Sequence, residues 1–149
     1  MLKNDLAAVS RLFPLDLQEV RKHLELLIGE LNIPRSKLVL GGFSQGAVLA
    51  IDTAFHHHDP CAALIILSGT LANADQWARL APLHAKTIFF QSHGTEDPIL
   101  PFQLAISLEA LLHASHLKGK LHPFHGGHDV PHSILVQLNH FLTNTLATS

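Results

Sequence analysis

Ser44 stands at the centre of Gly42-Phe43-Ser44-Gln45-Gly46, a G-x-S-x-G pattern. A serine hydroxyl is a poor nucleophile until a base takes its proton, and the base needs an acid to hold it in one tautomer. Both partner types lie downstream. Gln91-Ser92-His93-Gly94-Thr95-Glu96-Asp97-Pro98 offers carboxylates at Glu96 and Asp97. Phe124-His125-Gly126-Gly127-His128-Asp129-Val130-Pro131 offers imidazoles at His125 and His128, with His132 close behind. Serine, acid, histidine is the chain order of acyl-transfer sites built on a nucleophile elbow. Ser44, Asp97 and His128 would then meet from three separate loops. A zinc site built from His93, His125, His128 and Asp97 is the rival reading. The order of the segments fits a triad better.

A five-residue pattern occurs by chance, so the elements around it must carry the weight. Lys37 to Phe43 is a short apolar run without alternation, which suits a strand buried on both faces of a parallel sheet. From Gln45 the pattern turns helical through Ala47, Val48, Ile51 and Ala54. Ser44 therefore sits where a strand stops and a helix starts, as the elbow requires. The flanking glycines are expected to leave room for a tight turn and for close approach of the helix. Helix N–H groups would point toward developing negative charge, and the backbone N–H of Gln45 is the expected oxyanion donor.

The same strand–helix unit repeats. Ala62 to Leu67 reads as a strand, Asp75 to Leu80 as a short helix, Lys86 to Gln91 as a strand and Pro101 to His113 as a helix. Lys118 to Phe124 is a weaker strand whose Pro123 argues for a sheet edge. Ser133 to Leu146 is a last amphipathic helix. Ahead of the elbow, Asp16 to Leu31 spaces Leu17, Val20, Leu24, Leu27, Ile28 and Leu31 as one buried helical face, with Asp16 as N-cap. Four strands alternating with helices predict an α/β fold with a parallel sheet, and such sheets place their sites at the carboxyl ends of strands.

The 149 residues make one domain, 1–149. A chain of this size buries roughly 68–70% of its unfolded surface. Hydrophobic residues at 47% and charged residues at 15% describe a core-rich globular chain. A net charge of -2 gives no reason to expect nucleic acid as partner. No apolar run approaches the roughly 20 residues of a membrane span. A single cysteine, Cys61, forms no internal disulfide, and the chain is expected to be cytoplasmic. Among the 13 histidines, His56-His57-His58-Asp59 looks like a metal cluster. It is read instead as an exposed helix end, because consecutive helical positions point in different directions.

Leu38 to Phe55, read LVLGGFSQGAVLAIDTAF, resembles the carboxylesterase/phospholipase family that includes the acyl-protein thioesterases. The likeness continues in LSGTLA (Leu67 to Ala72), SHGTEDPILPF (Ser92 to Phe102) and GGHDVP (Gly126 to Pro131). All four motifs stand in family order, over nearly the whole chain from about Asp16. The resemblance implies an α/β-hydrolase that cleaves carboxyl esters, lysophospholipids or acyl-thioesters with no metal or other cofactor. It places the acid at Asp97 and the histidine at His128. Leu71, Trp77, Ile99 and Leu100 follow strands and are candidates for an acyl pocket, with ordinary core as the alternative.

Members of that family are longer toward the N-terminus, where a His-Gly loop supplies the second oxyanion N–H. The chain is therefore expected to be the C-terminal part of the fold. Two readings follow. One is an active esterase or thioesterase on small or lipid-derived acyl substrates. The other is a non-catalytic remnant that binds or assembles. In the family the Lys37–Phe43 strand lies in mid-sheet, so here it would present an uncharged apolar edge. Homo-oligomerisation through Leu38–Gly42 is the expected consequence.

Overall fold

In the computed structural model, which describes residues 16–147, the apolar runs become four strands. These are β1 (Val39–Phe43), β2 (Ala63–Leu67), β3 (Ile88–Gly94) and β4 (Lys118–Phe124). They form one sheet in the order β1-β2-β3-β4, parallel throughout. Val39 lies opposite Ala63, Ala63 opposite Ile88, and Ile88 opposite Lys118. In-register starts put all four carboxyl ends on one rim. The α-helices among the described residues are α1 (Leu17–Leu31), α2 (Gln45–His56), α3 (Ala74–Leu80), α4 (Phe102–Ala114) and α5 (His132–Ala147).

β2 and β3 are apolar on both sides because both sides are covered. By contrast β1, expected to be buried on both faces, leaves Gly41 and Phe43 exposed because it lies at the sheet edge among the described residues. On one face Leu40, Leu64, Ile66 and Phe89 join Ala47, Val48, Ile51 and Phe55 of α2 and Leu108 and Leu112 of α4. On the other, Ile65 and Phe90 meet Ile134, Leu138 and Phe141 of α5. Each fully buried side chain of this size contributes roughly 1.5–3 kcal/mol. The two layers hold β1 and α2 rigidly enough to fix the turn between them.

Helix α1 departs from its sequence reading. Asp16 caps it, accepting from the N–H groups of Gln18 and Glu19. Yet none of its residues is buried. Leu17 and Ile28 reach the core in part, while Leu27 and Leu31 are about 60% exposed at 60% and 59%. The periodicity marks a face that can pack. It does not say how wide the neighbouring surface is, and α1 lies against α2 rather than across the sheet.

The sheet edges differ in chemistry. β1 is outermost, with Gly41 and Phe43 exposed and no charged residue along it. β4 forms the other edge and carries exposed Lys118, Lys120 and Pro123. Among the described residues no helix is long and apolar enough to cross a membrane.

Candidate active site

The turn from β1 into α2 is tight because of Gly42. A Cβ there would lie 2.3 Å from the Gly46 carbonyl carbon. Gly46 is different, since a Cβ on it would meet nothing within 4 Å. The close approach therefore requires only the first of the two glycines. Ser44 occupies φ 58°, ψ -116°, a conformation that costs a non-glycine residue of order 1–3 kcal/mol. Its backbone N–H donates to the Leu67 carbonyl at 2.9 Å, which ties the turn to the end of β2. A serine at a helix start usually caps the helix with its side chain. Ser44 does not, so its hydroxyl is directed elsewhere.

It points at His128. Ser44 Oγ lies 2.9 Å from His128 Nε2, and His128 Nδ1 lies 2.7 Å from Asp97 Oδ2. The structure thus brings three sequence-predicted residues into one hydrogen-bonded row at the carboxyl rim. Asp97 follows β3 in a turn whose own N–H groups seat it. Ile99 N and Leu100 N donate to Oδ1 at 2.8 and 2.9 Å. His128 follows β4 in a loop pressed against the end of β3. A Cβ on Gly94 would lie 2.2 Å from the Gly127 carbonyl oxygen, so Gly94 is what lets the two loops touch. Glu96 N donates to the Gly126 carbonyl at 2.9 Å and closes the contact.

Electrostatics follow from this seating. Burial alone would raise the Asp97 carboxyl, but the Leu100 N–H, His128 and the Ile99 N–H outweigh it and hold the group below its ordinary value. Asp97 is thus an anion with its side chain out of water.

The other predicted positions separate. Gln45 is the first residue of α2, directly after Ser44. Ile99 is half exposed on the rim, and Leu71 is buried. Leu100 is wholly buried beside Leu104. Trp77 is also wholly buried, edge-on to Phe55 in the core, with Nε1–H donating to Asp52 Oδ1 at 2.9 Å. Its surroundings are core on every side, which fits the ordinary-core alternative for that residue. Of the rivals, Glu96 and His125 are exposed and lie 3.8 Å from each other, away from the row.

Several neighbours of the row have contacts that the sequence reading did not assign, and His93 entered it only as a ligand of the rival zinc site. Phe43 sets its ring 4.9 Å from that of His128. Ser68, at φ 49° after β2, donates to the Asp129 carbonyl at 3.2 Å and so steadies the His128 loop. His93 packs beneath Asp97, with its i, i+4 spacing as the only sequence signal. His57, His58 and Asp59 lie past the end of α2 rather than on it. Helical divergence does not apply to them, and their potential ligand atoms fall within 4.8 Å of one another at the surface.

Residues 4–146 match the sequence profile of the Phospholipase/Carboxylesterase family. Acyl-protein thioesterase 1 of Neurospora crassa is 30% identical over 119 residues, covering 77% of this chain and 49% of that protein. Acyl-protein thioesterase 1 of Mycosarcoma maydis is 32% identical over 104 residues, covering 68% and 43%. The chain spans about half the length of these curated relatives, 49% and 43%. Among solved structures, the Bacillus cereus carboxylesterase superposes with a TM-score of 0.73 at 21% identity, over 87% of this chain and 59% of that one. At that identity the likeness speaks for the α/β-hydrolase fold.

Proposed function

The chain belongs to the phospholipase/carboxylesterase family, and from that premise we propose that it is a serine hydrolase of carboxyl esters or acyl-thioesters, with Ser44 as nucleophile, His128 as base and Asp97 as the acid that orients His128. The observation that carries this reading is the unbroken row from Ser44 Oγ through His128 to Asp97, at 2.9 and 2.7 Å. The relatives named acyl-protein thioesterases support the acyl class.

The chemistry runs along the row. The Ser44 O–H donates to His128 Nε2, and Nδ1–H donates to Asp97. As Oγ attacks the acyl carbon, its proton passes to Nε2 and the imidazolium is held by the Asp97 carboxylate. The oxyanion of the tetrahedral intermediate is met by the backbone N–H of Gln45 at the start of α2. Nε2–H then protonates the departing alcohol or thiol. Water attacks the acyl-enzyme by the same route in reverse. Ile99, half exposed in the loop that holds Asp97, is the candidate for meeting the acyl group, whereas Leu71 belongs to the buried core. No metal or cofactor is needed for any step, and the single buried cysteine Cys61 suits a cytoplasmic setting.

Hydrolysis of a short p-nitrophenyl ester tests this. Ser44→Ala should lower kcat by at least 10³-fold, with fluorophosphonate labelling lost at the same time. Equal rates for the two proteins would remove Ser44 from the chemistry.

The same reading extends to assembly. The outer edge of β1 is unpaired among the described residues and uncharged. Such an edge is a template for another strand, and a second copy of the chain is its proposed occupant. Light scattering at tens of micromolar should report a mass of twice 16.3 kDa or more. A clean monomer at that concentration would end the idea.

A further inference from the structure

One close neighbour of Asp97 is a histidine for which the proposed reaction has no use. His93 is the penultimate residue of β3, four residues before Asp97, and is wholly buried. Its Nε2 lies 2.8 Å from the Leu100 carbonyl oxygen and 3.3 Å from Asp97 Oδ2. A carbonyl oxygen only accepts, so Nε2 carries a proton. Burial pushes the imidazole below its ordinary value, against the pull of the Leu100 carbonyl and Asp97. Nδ1 is buried without a hydrogen-bond partner, and a proton there would find no acceptor. His93 is therefore a neutral ring with a single N–H. That N–H donates to the Leu100 carbonyl at 2.8 Å, and the carboxylate oxygen that faces His128 lies 3.3 Å from the same nitrogen.

We infer that His93 is a positioning residue for Asp97: its Nε2–H closes a ring of contacts that sets the carboxylate against His128. This rests on the serine-hydrolase reading above. The ring runs from Asp97 Oδ1 to the Leu100 N–H, through Leu100 to its carbonyl, to His93 Nε2–H and back to Asp97 Oδ2. The Ile99 and Leu100 N–H groups restrain one oxygen. His93 lies against the other, Oδ2, at 3.3 Å and fastens the turn behind it through the Leu100 carbonyl. With His93 wholly buried, no water is at hand to take its place. The titratable groups that face it are Asp97 and His128, and Phe102 supplies an apolar wall with its ring centroid 6.1 Å away. A side chain that merely filled the core would need the ring's volume but not its N–H.

Two variants separate volume from hydrogen bond. His93→Leu keeps the bulk and removes the donor, while His93→Gln returns an amide N–H to the place of Nε2. The first readout is independent of turnover: the far-downfield proton resonance of His128 Nδ1–H that a His–Asp hydrogen bond produces. It should be present in the wild type and in His93→Gln, and shifted or lost in His93→Leu. The second readout is ester hydrolysis. His93→Leu should lower kcat by roughly 10²-fold with little change in KM, and His93→Gln should restore most of the rate. A folded His93→Leu protein with an unchanged downfield proton and wild-type kcat overturns the inference. If His93→Leu fails to fold, the wild type and His93→Gln decide it. Ring-nitrogen shifts showing His93 protonated on Nδ1, or loss of the downfield proton in His93→Gln, would overturn it too. Should Ser44→Ala hydrolyse as fast as the wild type, the functional reading falls, yet the downfield proton still reports whether His93 holds Asp97.

Discussion

Asp97 and Asp52 are both carboxylates buried in one small domain, and they end up in different work. Asp52 lies in α2 and is 1% exposed. Arg21 of α1 donates to its Oδ2 at 2.6 Å and Trp77 of α3 donates to its Oδ1 at 2.9 Å. Three helices are thereby fastened at one point. Arg21 keeps its charge at any ordinary pH and the indole N–H is a donor only. His56 also stands by, with Nδ1 2.8 Å from the Asp52 backbone carbonyl and 3.5 Å from Oδ1, but its Nε2 has no hydrogen-bond partner and so reaches no hydroxyl. Asp97 is seated just as firmly, by Ile99 N and Leu100 N, but its other oxygen faces an imidazole that reaches a hydroxyl. What separates the two carboxylates is what lies beyond the neighbouring imidazole, a hydroxyl past His128 and no partner past His56, more than their depth or their number of donors.

The largest effect that tests this division comes from Asp97→Asn. The amide keeps an acceptor for the Ile99 and Leu100 N–H groups. It puts an NH₂ where Oδ2 was, facing His128 Nδ1 and His93 Nε2–H. His128 must then turn Nδ1 into an acceptor and carry its proton on Nε2, toward Ser44, where it cannot act as base. We expect kcat to fall by about 10⁴-fold while the melting temperature changes little. A variant that loses stability and keeps its rate would mean that Asp97 is a strut like Asp52.

Asp52→Ala should do the reverse. Arg21 and Trp77 would be left with a buried charge and a buried donor unmatched, a loss of about 3–5 kcal/mol. Arg21 keeps some contact with water at 18% side-chain exposure, which favours the lower end. Calorimetry should show a large drop in melting temperature. The folded fraction should still label with a fluorophosphonate at the wild-type rate per molecule. Slow labelling by fully folded protein would join the two carboxylates after all.

These two residues were unequally legible in the sequence. Asp97 stands in a loop after an apolar run, beside glycines and a proline, and its local surroundings announce a turn with a chemical purpose. Ser44 and His128 share that advantage. Asp52 looks like any polar residue on a helix, because its partners lie 31 residues before it and 25 after it. Only the packing of α1 and α3 on α2 makes it buried. β2 and β3 were readable for the same local reason, since continuous apolar runs record burial on both faces, while the same kind of run in β1 leaves Gly41 and Phe43 exposed. The exposure of α1 was not, because periodicity describes a helix face and says nothing of the surface opposite. Nor was the difference between Gly42 and Gly46, which depends on where the helix backbone lies.

Trp77 gives the smallest and sharpest test. It follows a strand and is apolar, so the sequence permits both an acyl pocket and the core. In the fold it is wholly buried edge-on to Phe55, with its one polar atom spent on Asp52. Trp77→Phe keeps an aromatic ring and removes that single neutral donor. Asp52 retains Arg21, so the loss is one hydrogen bond to a charged group, about 1.5–3 kcal/mol. That should be smaller than the effect of Asp52→Ala and should add little to it in the double variant, because both changes remove the same bond. KM for esters of different acyl length should stay at the wild-type values. An altered chain-length preference would place Trp77 in contact with substrate and shift the boundary between the fastened cluster and the reactive row.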